Sequence, residues 1–180
     1  MPDNYRILAA TPAEYETIRE IAQATWPDTF GDILSITQID FMLEMMYSLV
    51  AMQEQVARGH VFHLLLAAEV ATDDYTGSRT RRFRPVAYVS HQLDYRPGTT
   101  KIHKLYARPQ VQGKGYGKVL VEHIAGIARR AGQSTLRLDV NYQNKAVSFY
   151  EYLGFEKIER CNTDIGNGYL MEDWIMEKSL

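Results

Sequence analysis

Cysteine is all but missing from this chain: Cys161 is the only one in 180 residues. A single thiol excludes an internal disulfide and an all-cysteine metal site, and it fits a reducing compartment. Cys161 also sits among Glu159, Arg160 and Asn162 with no helix start beside it, so it lacks the setting that makes a reactive thiolate. Long hydrophobic runs are missing as well. No apolar stretch approaches the ~20 residues of a membrane span, and the opening MPDNYRILAATPAEY lacks the charged-then-apolar order of a secretory leader. Neither sign of charge dominates: 20 Lys and Arg stand against 22 Asp and Glu, a formal net charge of −2. That balance makes no electrostatic case for a nucleic-acid or membrane partner. Basic residues gather at Arg79, Arg81, Arg82 and Arg84, inside TDDYTGSRTRRFR, which has the composition of a solvated loop. There is no internal repeat and no low-complexity segment. These absences lead to the expectation of one cytoplasmic domain over residues 1–180, with no metal.

What is present reads as alternating blocks of helix and strand. Tyr5 to Ala10 suggests a first strand, and Thr11-Pro12-Ala13-Glu14 a capping box with proline at the first helical position. Ile18, Ile21, Ala22 and Thr25 carry helical spacing, which Trp26-Pro27-Asp28 is expected to break. Phe30 to Ile36 reads as irregular. A second helix is marked by Ile39, Met42, Leu43 and Met46, and a third by Leu49 to Arg58, ending at Gly59. Strands are expected over Val61–Ala68, Val86–Leu93 and Lys101–Ala107. A helix follows over Gly115–Ala131, then a strand through Leu136, Leu138 and Val140, and a short helix from Ala146 to Leu153. Phe155–Arg160 and Tyr169–Glu177 look like a closing antiparallel pair. Helices fall between runs of strands, so the reading is a mixed α/β sheet and not a doubly wound one.

The most informative segment is Lys104-Leu105-Tyr106-Ala107-Arg108-Pro109-Gln110-Val111-Gln112-Gly113-Lys114-Gly115-Tyr116-Gly117-Lys118. A strand enters it, three glycines alternate through it, and a helix leaves. Glycines let successive backbone N–H groups turn inward, and a helix N-terminus adds partial positive charge, so the segment can cradle a phosphate or pyrophosphate. A nucleotide triphosphatase loop fits badly, because only three residues separate Gly113 from Gly117 and Val119 follows Lys118. A dinucleotide fingerprint fits no better: the spacing is GxGxG and it comes too late in the chain. A plain glycine-rich turn remains the alternative from these residues alone.

Context separates them. Q-G-K-G-Y-G-K after a strand ending L-Y-A-R-P resembles motif A of the GNAT superfamily of N-acetyltransferases, and Asn144-Lys145-Ala146-Val147-Ser148-Phe149-Tyr150-Glu151-Tyr152-Leu153-Gly154-Phe155 resembles its motif B. The close resemblance covers roughly Lys101 to Glu156. It implies the GNAT (acyl-CoA N-acyltransferase) fold, a mixed, mostly antiparallel central sheet whose parallel strands splay apart, flanked by helices. It also implies acetyl-CoA as co-substrate, held by Leu105, Tyr106 and Ala107 along the pantetheine arm and by Gln112, Gly113, Lys114, Gly115, Tyr116, Gly117 and Lys118 at the pyrophosphate. Asn144 is expected to touch the cofactor, to cap the next helix, or both. Tyr150 matches the family tyrosine set against the sulfur, where a phenol protonates the leaving thiolate; Tyr152 is the fallback.

The proton of the attacking amine needs an acceptor. With a pKa near ~10.4 a primary amine is almost wholly protonated at pH 7, a deficit of roughly 4 to 5 kcal/mol. His103 is the first candidate base, because a GNAT relative carries a proposed catalytic histidine there, and His91 is the second. Lys101 stands where many relatives place a glutamate, which leaves the base open.

For the acceptor, I-H-K-L-Y, the stretch from Phe30 to Ser48 and the ending from Ile165 to Met176 resemble the PaiA-type branch, associated with polyamine acetylation. Asp28, Asp32, Asp40, Glu44, Glu172 and Asp173 would supply carboxylates for a polycation, against the plainer reading of solvated acids. Met42, Met45 and Met46 read first as adaptable packing. Alternatives are a protein N-terminal or lysine acetyltransferase and, outside catalysis, a regulatory domain that binds coenzyme A without turning it over. Family members often pair through helices or edge strands, so a homodimer stays open, beside a small-molecule amine as the expected partner.

Overall fold

The computed structural model describes residues 4–72 and 79–180. Strand β1 (Tyr5–Ala9) leads to a 3-10 turn at Pro12–Glu14, where the expected capping box forms: the Glu14 carboxylate accepts from the Thr11 backbone N–H at 2.7 Å. That bond, with the one from the Thr11 hydroxyl, holds the Glu14 carboxyl below its ordinary pKa.

Helix α1 (Tyr15–Phe30) does not stop at Trp26 as expected; it runs straight through Pro27. Proline removes the bond that would reach the carbonyl of Gln23, and both Gln23 and Pro27 lie on the exposed face, where water meets that carbonyl. Opposite, Trp26 and Phe30 are buried and only 4.9 Å apart between ring centroids. Burial of two large aromatics, worth roughly 1.5–3 kcal/mol each, outweighs one hydrogen bond lost to solvent. Helices α2 (Ile36–Tyr47) and α3 (Leu49–Ala57) follow, capped by Ser35 and Ser48 hydroxyls that accept from Gln38 and Ala51 N–H.

Strands β2 (Val61–Thr72), β3 (Arg79–Arg96), β4 (Thr99–Ala107), β5 (Thr135–Asn141), β6 (Glu156–Gly166) and β7 (Tyr169–Ser179) join β1 in one sheet of order β1-β2-β3-β4-β5-β7-β6. Every pairing is antiparallel except β4 with β5. Helices α4 (Tyr116–Arg130) and α5 (Ala146–Tyr152) cover one face of the sheet with α1–α3 on the other, and each face has its own apolar core. The mixed, mostly antiparallel sheet expected from the sequence is therefore the one observed.

The arginine cluster differs from its expected form. Arg79, Arg81, Arg82 and Arg84 belong to β3, paired residue by residue with β2, although all four remain exposed. Their charges are spread by the Arg84–Glu69 ion pair at 2.8 Å and by Arg6 and Arg81 lying over the Phe83 ring. The preceding stretch, 73–78, expected as loop, lies outside the described residues.

One irregularity positions the site. Leu105 pairs with Val89 and Lys104 with Ser90, but Ile102 pairs with His91, so β4 carries His103 as an extra residue. Such a bulge bends its strand. The parallel pairing of β4 with β5 covers only Thr99–Ile102 against Thr135–Leu138 and ends beside the bulge. Beyond it the two strands diverge, while β5 stays paired to β7 as far as Asn141.

Candidate active site

The divergence leaves the β5-facing edge of residues 103–107 without a strand partner, so backbone polar groups there are open to a ligand. The chain leaves β4 through a short turn, Pro109–Val111, and the Gln112 side chain donates back to the Ala107 carbonyl at 3.1 Å. Gly113 and Gly115 then take φ of +77° and +84°, a region L side chains rarely enter. A Cβ at either would meet nothing within 4 Å, so both face open space. Helix α4 begins without a side-chain cap, and its first intrachain bond runs from Val119 N–H to Gly115 O. The N–H groups of Gly113, Gly115, Tyr116, Gly117 and Lys118 consequently have no intrachain backbone partner. Five free donors at a helix N-terminus fit a pyrophosphate. Gly117 has another reason: its missing Cβ would lie 3.0 Å from Phe149 Cζ, so glycine lets α4 approach α5.

A cavity of about 1260 Å³ runs from this loop through the splay to α1 and α2. Of the expected residues it gathers His103, Leu105, Tyr106, Ala107, Gln112, Gly113, Gly115, Tyr116, Gly117, Lys118, Asn144 and Tyr150. Lys114 is exposed and does not line it. Asn144 closes a turn just ahead of α5, its Oδ1 accepting from Ala146 N–H at 2.9 Å, while the N-cap position itself is Lys145.

Tyr150 is 7 % exposed and packed against Phe149 and Phe155. Burial pushes its phenol pKa up, and among the described residues its hydroxyl has no hydrogen-bond partner, so it is available to a ligand. Tyr152, at 78 % exposure, stands on the rim.

The histidines depart from their expected state. His103 stacks on His60 with ring centroids 3.8 Å apart. Gln92 donates through its Nε2 to Arg58 O, which fixes its amide, so its Oε1 accepts from His103 Nε2 at 3.1 Å. Burial, then the charges of His60, Lys101 and Lys104, hold His103 down to about 2. The ordinary pKa on which its base role was expected to rest is lost. His91 is not on the cavity at all. It faces α4, beside His63 at 5.2 Å between centroids, while His63 Nδ1 contacts His123 Nε2 at 3.2 Å. Burial holds His91 and His63 down to about 4.

Two carboxylates stand out that the sequence did not offer as bases: Asp139 was not named at all, and Asp173 only as one of six acids for a polycation. Asp139 pairs with Lys101 at 2.5 Å, which explains the lysine in a glutamate's place: it is neutralised across the closed end of the splay. Asp173, on β7 opposite Asn141, is 8 % exposed and lines the cavity, with no ion pair among the described residues. Burial, then nearby Asp139, raises its pKa to about 6. Of the other acids considered for a polycation, Asp28 and Asp32 line the cavity from exposed positions. Asp40 and Glu44 line a separate cleft between α1 and α2, and Glu172 lines neither.

Among the described residues no group of three or more His, Cys, Asp or Glu is placed to hold a metal, and no helix is long and apolar enough to cross a membrane. The chain resembles N-acetyltransferase CgeE of Bacillus subtilis, itself uncharacterised, at 37 % identity over 71 residues, which is 39 % of this chain and 27 % of that protein. It resembles the peptidyl-lysine N-acetyltransferase YjaB of Salmonella typhimurium at 40 % over 67 residues, 36 % of this chain and 43 % of the other. These matches span less than half the length of the curated relatives. In fold it is similar to the PaiA N-acetyltransferase of Thermoplasma acidophilum, solved with coenzyme A, at a TM-score of 0.75 and 22 % identity, covering 98 % of this chain and 99 % of that one. The model of the Acetyltransferase (GNAT) family matches residues 15–155, and the chain belongs to that family.

Proposed function

We propose that the protein transfers the acetyl group of acetyl-CoA to a primary amine, both substrates being bound in the one cavity. The observation that carries this reading is the continuity of that cavity: the free N–H groups of Gly113 and residues 115–118, the open edge of β4, the unpartnered Tyr150 hydroxyl and the unpaired Asp173 carboxylate all lie on it. Acetyl-CoA would supply an acyl group activated as a thioester, and the residues here fit its diphosphate and its extended arm.

Each residue then has a task. The amides of Gly113 and of Gly115 to Lys118 hold the diphosphate. The edge of β4 at Leu105 and Ala107 aligns the arm and presents N–H donors toward the acyl oxygen. Tyr150 gives its proton to the departing sulfur; burial keeps the phenol protonated until then. Asp173 takes the amine proton. Transfer from an ammonium near ~10.4 to a carboxyl near 6 is uphill by ~6 kcal/mol, against ~11 kcal/mol for His103 near 2. The carboxylate is the better base by that margin, and His103 serves to shape the bulge.

The acceptor is a finer question. A polyamine would find four carboxylates on the cavity, Asp28, Asp32, Asp173 and the Lys101-paired Asp139. A peptidyl lysine is favoured instead by the likeness to a relative named for that substrate. Thiol release from acetyl-CoA across small amines, polyamines, amino acids and peptides tests the reading. Release above the hydrolytic background with at least one amine is expected, and release with none would refute it. That result, with coenzyme A still bound, would favour a regulatory domain.

A further inference from the structure

Lys104 is a buried cation that the fold does not neutralise. It follows the bulge on β4, is 9 % exposed and lines the cavity. Its ammonium has three donors, of which one is used, toward Gln55 Oε1 at 2.5 Å. Gln55 is buried and held by its own Nε2, which donates to Met46 O at 2.8 Å, so Oε1 is fixed toward the lysine. The rings of Tyr47 and Phe62 lie 5.6 and 5.8 Å from Nζ. Among the described residues no carboxylate lies within 4 Å of it. Three residues earlier the fold does the opposite, matching Lys101 with Asp139. Arg58, at the end of α3, lines the same cavity and likewise has no ion pair among the described residues.

A buried unpaired charge is costly, and a cavity that retains one is suited to a ligand of opposite sign. Burial, with Arg58 and Lys101 nearby, lowers Lys104 to about 8, and a bound anion would restore its charge. The opposite requirement appears across the cavity at Asp173. A free cation on the α3–β4 side and a free carboxylate on β7 match a zwitterion. A dication would meet Lys104 and Arg58 with like charge.

We propose that Lys104, assisted by Arg58, is a carboxylate-binding subsite, and that the acceptor is a small amino-carboxylate, an amino acid or aminoalkanoate, with its amine toward Asp173. This rests on the acetyl-transfer reading above. The test compares thiol release for glycine, β-alanine and 4-aminobutanoate with release for the corresponding amides and for 1,4-diaminobutane. At least one acid should exceed its amide and the diamine tenfold or more in kcat/KM. In Lys104→Met that acid-to-amide ratio should fall to about one, chiefly through KM. Equal ratios in the unaltered protein, or a preference for the diamine, would overturn the proposal while leaving acetyl transfer standing. Should no amine release thiol, the transfer reading falls, and calorimetric titration with N-acetylglycine decides the subsite by itself. Binding that Lys104→Met abolishes supports it; absence of binding overturns it.

Discussion

Acid should unfold this protein well above the pH at which carboxylates alone would do so. All five of its histidines are held below their ordinary pKa, chiefly by burial: His60, His63 and His91 to about 4, His103 to about 2, and His123 lowered as well. A depressed histidine is neutral when folded and charged when unfolded, so unfolding takes up protons between about pH 6.5 and 4 and stability falls with pH across that window. At pH 5 the unfolded chain binds ~0.97 proton per histidine. The folded chain binds ~0.1 on each of the three near 4 and almost none on His103, a difference of ~3.6 protons. Asp173 works the other way: raised to about 6, it is protonated in the folded state at pH 5 and offsets ~0.85 of a proton. The net of ~2.8 protons is a slope near ~4 kcal/mol per pH unit, and integrating from pH 7 to 5 gives a loss of ~6 kcal/mol. Solvent at the half-buried His60 and His103 and repulsion within the clusters reduce this to about half, ~3 kcal/mol. For a domain of this size that is a fall in Tm of about 10 °C. Thermal melts at pH 7, 6 and 5 at fixed ionic strength measure it, and His91→Leu should flatten the slope by about a third whatever it does to Tm at pH 7. A Tm that moved by less than about 3 °C between pH 7 and 5 would refute the reasoning.

The site yields further outcomes. Gly115→Trp should abolish the rise in Tm that acetyl-CoA gives, because it strains a positive φ and fills the open space before the free amides; a retained rise would remove the loop from the cofactor site. Tyr150→Phe should lower kcat by ~10²-fold or more and change acetyl-CoA affinity by less than about threefold, and an unchanged kcat would end its role as acid. Asp173→Asn should lower kcat/KM by ~10²-fold or more and erase an acidic limb centred near 6; a limb that survives would return the search to water. His103→Gln should leave that limb where it is, since a ring held near 2 does not titrate across it; its loss would restore His103 as the base. Gly117→Ala should destabilise by ~1 kcal/mol or more, read as a lower urea midpoint, because Phe149 must move from 3.0 Å.

Features that depend on one stretch of chain were legible in the sequence. The capping box at Thr11, the helical spacing of α4 and the turn glycines at 113 and 115 are local features, and the structure shows the capping box, the helix and the positive φ of both glycines, whereas Gly117 is explained by Phe149 on another helix. What failed to be legible depends on partners distant in sequence. Pro27 looks like a helix stop until Trp26 and Phe30 are seen buried against Tyr106, which sits on another element altogether. Arg79 to Arg84 look like loop until β2 supplies hydrogen bonds to them.

The same distinction divides the site. The half proposed to bind the anion consists of main-chain amides, and the glycine spacing together with the motif context was enough to propose it. The half proposed to react consists of side chains brought together from α3, β4, β5, α5 and β7, and the chemistry of each is set by what the others leave unpaired. Lys101 and Lys104 are three residues apart on one strand and chemically alike, yet the first is matched by Asp139 and the second only by a neutral amide. No local pattern distinguishes them. The bulge at His103 does: Lys101 lies where β4 still pairs with β5, and Lys104 lies just past the extra residue, turned toward α3 and away from any carboxylate of β5. A one-residue slip in register therefore gives one strand a neutralised lysine at the closed end of the splay and an unneutralised one inside the cavity, and it is the second on which the proposed carboxylate subsite rests.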